Sequence, residues 1–99
     1  VNVTQIEMNQ LALESFTRSS EKLAHVLAEL KGKLEPEQVC LYEASQNAWD
    51  IYSKDQASAV ASMYQGGSIY PLIYHSELET LAHERTARIQ SELDELVKA

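Results

Sequence analysis

An all-α fold, an antiparallel three-helix bundle, is what this sequence predicts, and three observations predict it. Large apolar residues recur every three or four positions over three long stretches, the period of one face of an α-helix. Two short segments containing glycine, proline or serine interrupt those stretches. The links left between them are short, which makes sequential helices antiparallel neighbours.

The first helix is expected over about 5–33. Leu13, Phe16, Leu23, Leu27, Leu30 and Leu34 alternate threes and fours, with Ser20 filling the gap, so they form the seam of a helix packed lengthwise on others. Thr4 followed by Glu7 fits a capping box, in which hydroxyl and carboxylate each satisfy a free backbone amide. Gly32, Leu34 and Pro36 mark the first break: glycine permits a left-handed helix end, and proline suits the first turn of the next helix.

The second helix then covers about 37–64. Val39, Leu41, Ala44, Ala48, Trp49, Ile51, Tyr52, Val60, Ala61 and Tyr64 follow helical rather than strand spacing. Gln65, Gly66 and Gly67 form the second break, Ser68 is the expected N-cap, and Pro71 falls in a first turn where its missing donor costs little. The third helix covers about 68–98, with Leu72, Ile73, Leu78, Leu81, Ala82, Ile89, Leu93, Leu96 and Val97 on its apolar positions.

The 99 residues suffice for a single domain, 1–99, with one modest core. Apolar residues at 44% and charged residues at 23% are globular averages, so composition does not imply disorder. No run of 18 apolar residues occurs, which excludes a transmembrane helix. The net charge of -7 repels phosphate backbones, so no nucleic acid is expected as a partner; a basic protein or cationic surface suits it better, with solubility alone as the plain alternative. Cys40 is the sole cysteine, so no internal disulfide can form and cysteine usage does not reveal the compartment. It reads as a small apolar helix residue. The chain begins at Val1 rather than Met, so it is silent about a leader.

Four pieces of the chain together carry a resemblance: Thr4-Gln5-Ile6-Glu7-Met8-Asn9, Ser45-Gln46-Asn47-Ala48-Trp49, the Gly66-Gly67-Ser68 turn with Pro71 after it, and Glu84-Arg85. Their order and intervals resemble the LprI-type (lysozyme inhibitor LprI-like) domain family over nearly the whole chain. That family consists of small helical domains, mostly exported across the bacterial inner membrane, with lysozyme inhibition attributed to some members. The resemblance implies a non-catalytic, protein-binding protein of the periplasm or envelope, with the cytoplasm left open. Where the family usually has cysteines this chain has Leu11, Ala57 and Glu77, and a polar signature of the first helix reads here as Ser20, Leu23, Ala24 and Leu27. The resemblance is thus to a divergent member, one whose stability must come from its core alone.

Individual residues admit two readings each. Trp49 lies beside Ala44, Ser45 and Ala48, small residues that would let a neighbouring helix clasp the indole; an exposed interface anchor is the alternative. Gly66, Gly67 and Ser68 read as a turn between helices rather than a phosphate loop, since no strand precedes and no lysine follows. Tyr64, Tyr70 and Tyr74 cluster about that turn with Met63 and Ile69 and are the candidate partner-binding residues, against the reading that they only cap the core. His75, Glu79 and His83 stand four apart, read as a solvated face rather than a metal site, and His25 as an exposed position. Arg85, between Leu81 and Ile89, is expected to have a covered stem and a carboxylate partner on the first or second helix.

No spacing marks a nucleophile, so no catalytic, cofactor or metal residue is assigned and the protein is read as no enzyme. Charge and resemblance together lead to an inhibitor that neutralises a basic lysozyme-like cell-wall hydrolase, with a loop inserted near the enzyme's cleft. The alternative is a structural or oligomerising helical module that pairs with itself.

Overall fold

A computed structural model describes residues 3–98 and holds three α-helices, α1 (Gln5–Lys31), α2 (Pro36–Ala61) and α3 (Tyr70–Lys98), with a 3-10 turn, Ser62–Tyr64, continuing α2. The antiparallel three-helix bundle expected from the sequence is the observed architecture.

Helix ends follow local chemistry. Thr4 caps α1, its Oγ1 accepting the Glu7 amide at 3.1 Å. The helix stops at Lys31, two residues before the predicted end, and Gly32 stays right-handed at φ -64°, its N–H bonded to the Ala28 carbonyl at 3.0 Å. The left-handed freedom expected of Gly32 is therefore unused. Pro36 is the first residue of α2, and the Gln38 side chain accepts the Glu35 amide at 3.0 Å. α2 ends at Ala61 because the chain tightens into the 3-10 turn, and Gly66 at φ 82° then reverses it in a conformation that penalises a Cβ. α3 begins at Tyr70, so Ser68 lies two residues ahead and is not its N-cap; the Ser68 carbonyl instead accepts from Asn9 Nδ2 at 2.9 Å.

α3 is the central element: α1 lies along it and α2 packs on it, whereas α1 and α2 meet each other sparingly. The result is long and flat, 50 × 28 × 16 Å, with a radius of gyration of 16.1 Å against about 13 Å for a rounder chain of this length. Its accessible surface of 6625 Å² likewise exceeds the roughly 5,700 Å² expected for its mass. A large share of the side chains must therefore face solvent.

The main core gathers Leu23, Val26, Leu27 and Leu30 of α1 with Ile89 and Leu93 of α3, and Leu34, Tyr42 and Trp49 pack against it. Toward the other end the buried residues are Ala57, Ala61, Leu78, Leu81 and Ala82, alanines that let backbones approach closely. Ala57, one of the positions where the family usually has a cysteine, is fully buried, while Leu11 is exposed and Glu77 half-buried.

The predicted seam of α1 needs one correction in its first half. The inward line runs from half-buried Phe16 through buried Ser19, Leu23, Val26 and Leu30, whereas Leu13 is 38% exposed and Ser20 is exposed. Ser19 wins the inward place because the facing stretch of α3 offers it a polar partner. On α2, Leu41, Ile51 and Tyr52 lie outside the core despite their helical spacing, and on α3 Leu96 and Val97 are exposed near the helix end.

Candidate partner-binding site

The four sequence pieces that carried the family resemblance interlock pairwise. Asn9 of the first reaches Ser68 of the glycine turn. Arg85 of the last reaches back to α2, donating from Nε to Gln46 Oε1 at 3.1 Å and from Nη2 to Ser45 Oγ at 3.2 Å. The partners of Arg85 are thus neutral side chains, not the expected carboxylate. The planar guanidinium spans two acceptors one residue apart, which the ammonium of a lysine cannot do. These motifs tie α1 to the second turn and α2 to α3, so they act as braces of the fold.

Of the face expected to be solvated, His83 is exposed, whereas His75 and Glu79 are half-buried. Glu79 accepts a hydrogen bond from Ser15, and His83 Nε2 shares one with Ser19 Oγ at 3.3 Å. His75 donates from Nδ1 to the Pro71 carbonyl at 2.9 Å, and its ring lies 6.2 Å from Phe16 and edge-on to Tyr74 at 5.2 Å. Asn9, Ser15 and Ser19 are what the sequence reading missed. Their signal was a spacing of four from Ser15 to Ser19 and on to Leu23, and of seven from Asn9 to Phe16 and on to Leu23, which sets these polar residues on the side of the apolar seam. His25 is exposed, bonded to Glu29 on its own helix at 3.0 Å. Among the described residues no group of three His, Cys, Asp or Glu is placed to hold a metal ion.

Trp49 is half-buried: it packs on the main core, as the clasped-indole reading expects, and also lines a groove of about 530 Å³ between α1 and α2. Phe16, Leu23 and Leu27 line the groove opposite, Leu78 and Ala82 come from α3, and Lys31 and Lys54 add two cations. The groove exists because α1 and α2 barely meet.

Around the second turn the candidate residues divide by exposure. Met63 is 78% and Tyr64 42% exposed, while Ile69, Tyr70 and Tyr74 are half-buried. Tyr70 and Tyr74 stack at 6.2 Å with an interplanar angle of 12°. Gly66, Gly67 and Ser68 are exposed and shape the turn, and Pro71 is half-buried at the start of α3. The turn thus offers Met63 and Tyr64 outward, with the other aromatic residues behind them.

The Tyr42 hydroxyl donates to Glu92 Oε1 at 2.6 Å, and this bond to the carboxylate, followed by burial, raises the phenol above its ordinary value. Arg88 also reaches Glu92, at 3.3 Å. Cys40 is exposed on α2, not covered as an apolar residue would be.

A family model described as "Lysozyme inhibitor LprI" matches residues 2–89. No curated protein matches the chain, and no solved structure does.

Proposed function

The chain belongs to the LprI family, whose model covers residues 2–89, and from that membership we propose that it is a non-catalytic inhibitor of a basic, lysozyme-like cell-wall hydrolase in the bacterial envelope. The match to a family described as an inhibitor is the observation that carries this reading. The charge of -7 supports it, since such a surface draws a basic enzyme toward it and speeds encounter without itself setting specificity.

In this reading Met63 and Tyr64 enter the enzyme's cleft. They are the exposed apolar side chains at the tip of a turn that Gly66 reverses sharply. Ile69, Tyr70 and Tyr74 hold that tip in shape, and a pre-shaped loop loses less conformational freedom on binding. The envelope location follows from the family's general occurrence there.

The test is cell-wall lysis by a panel of basic lysozymes with the intact chain titrated in. Lysis should be inhibited at low ionic strength, and association should slow as salt screens the attraction. No inhibition and no binding by any member of the panel at low salt would remove the reading. Replacing Met63 and Tyr64 by serine should weaken inhibition while leaving helicity unchanged, because both side chains lie outside the buried core.

A further inference from the structure

The apolar residues of α2 occupy two faces, of which only one meets the rest of the protein. Tyr42, Trp49, Ser53, Ala57 and Ala61 are half-buried or buried. Leu41, Ala44, Ala48 and Ile51 are all exposed, and their steps of three, four and three align them along the opposite side. Leu41 is 70% and Ile51 66% exposed, with Tyr52 beside them at 54%. Single exposed apolar side chains are ordinary, but a continuous line of them on one helix face marks a contact surface.

The same line continues at each end into a carboxylate. Glu37 lies four residues before Leu41 and Asp55 four after Ile51, both exposed, so the ridge is bounded by acids about 27 Å apart. Beside Leu41 opens a small crevice of about 250 Å³ lined also by Tyr42, Ser45 and Glu92, whose carboxylate is already held by Tyr42 and Arg88. The neighbouring cations are already engaged, Arg85 with Ser45 and Gln46 and Arg88 with Glu92. Lys54 lies off the line and lines the α1–α2 groove.

We propose that the outer face of α2 is where a basic globular protein docks, seating an apolar patch on the Leu41–Ile51 ridge and placing lysine or arginine side chains against Glu37 and Asp55. This rests on the inhibitor reading and gives it a docking surface separate from the inserted turn. A second copy of the chain fits worse. Two-fold antiparallel pairing would set Leu41 against Ile51 and Ala44 against Ala48, but the same register sets Glu37 against Asp55 at both ends, between molecules that each carry -7. A cationic partner turns those same acids into attraction.

The test uses the intact chain and two double variants, L41S/I51S and E37K/D55K. Binding is measured by calorimetry at low salt to a basic c-type lysozyme and to a synthetic helical peptide with a leucine–alanine ridge bordered by lysines. Amide NMR shifts locate the contact, and sedimentation reports self-association. The unaltered chain should bind with shifts centred on Leu41–Ile51, and each double variant should weaken binding about tenfold or more with helicity unchanged. If the lysozyme does not bind but the peptide does at this face, the hydrolase reading falls and the docking surface stands. Binding undiminished in both variants, no binding of either probe, or a dimer that covers the face would each overturn the proposal.

Discussion

Two isoleucine-to-alanine substitutions, Ile89→Ala and Ile51→Ala, make the same chemical change in opposite surroundings. Ile89 is 0% exposed at the centre of the cluster that joins α1 to α3, whereas Ile51 is 66% exposed on the outer face of α2. Each substitution removes three carbons, worth about 2.4 kcal/mol if fully buried. At Ile89 that transfer loss is complete and a cavity is added, for a total of about 3 kcal/mol. At Ile51 only about a third of the loss applies, roughly 0.8 kcal/mol, and the better helix propensity of alanine offsets about half of it. Ile89→Ala should therefore lower Tm by about 12–24 °C, and Ile51→Ala by only a few degrees. Thermal unfolding followed by circular dichroism, with urea unfolding in parallel, measures both. Equal losses would refute the reasoning, since they would mean that the outer face of α2 is covered in solution.

Other substitutions test the braces and turns. Arg85→Met removes both bonds to α2 and should cost about 1–2 kcal/mol in urea unfolding monitored by Trp49 fluorescence; Arg85→Lys should recover little of it, because an ammonium lacks the fork that reaches both Gln46 and Ser45. Gly66→Ala should cost about 1–2 kcal/mol from backbone conformation alone, since nothing stands within 4 Å of the added Cβ. Tyr42 has a folded pKa above its unfolded one, so its contribution is present below the unfolded value near 10 and is lost as pH rises through the folded value. Tyr42→Phe should accordingly flatten stability against pH on the alkaline side, and absorbance near 295 nm should show one late-ionising tyrosine missing. An unchanged alkaline profile would refute the Tyr42–Glu92 account.

Parts of the candidate site were legible before the structure, and the reasons differ by residue. Gly66 was readable as a turn because only one residue type adopts a positive φ without penalty, so glycine in a break between helices carries its own geometry. Arg85 was readable as paired, but not its partners, because Ser45 and Gln46 become neighbours only when α2 folds back on α3. The Ser15–Glu79 and Ser19–His83 contacts were hidden for the same reason: serine on a helix face looks like a solvent position until another polar helix is laid along it. The outer ridge of α2 was legible only as helical spacing, which alone does not say which of two apolar faces is covered.

By itself the amino-acid order determined the local things, namely three helices, their two breaks, the Thr4 cap and the identity of the family, because propensity, capping and turn chemistry act within a few residues of chain. Tertiary packing decided everything that depends on which helix lies beside which. It made α3 the central element, opened the groove beside Trp49, turned Ser19 rather than Ser20 inward, and left the Leu41–Ile51 line facing water. The physical reason is that three helices of nearly equal length offer more apolar face than one flat bundle of this size can cover. Burial goes to the faces that also satisfy their polar neighbours, and the remainder stays exposed to water.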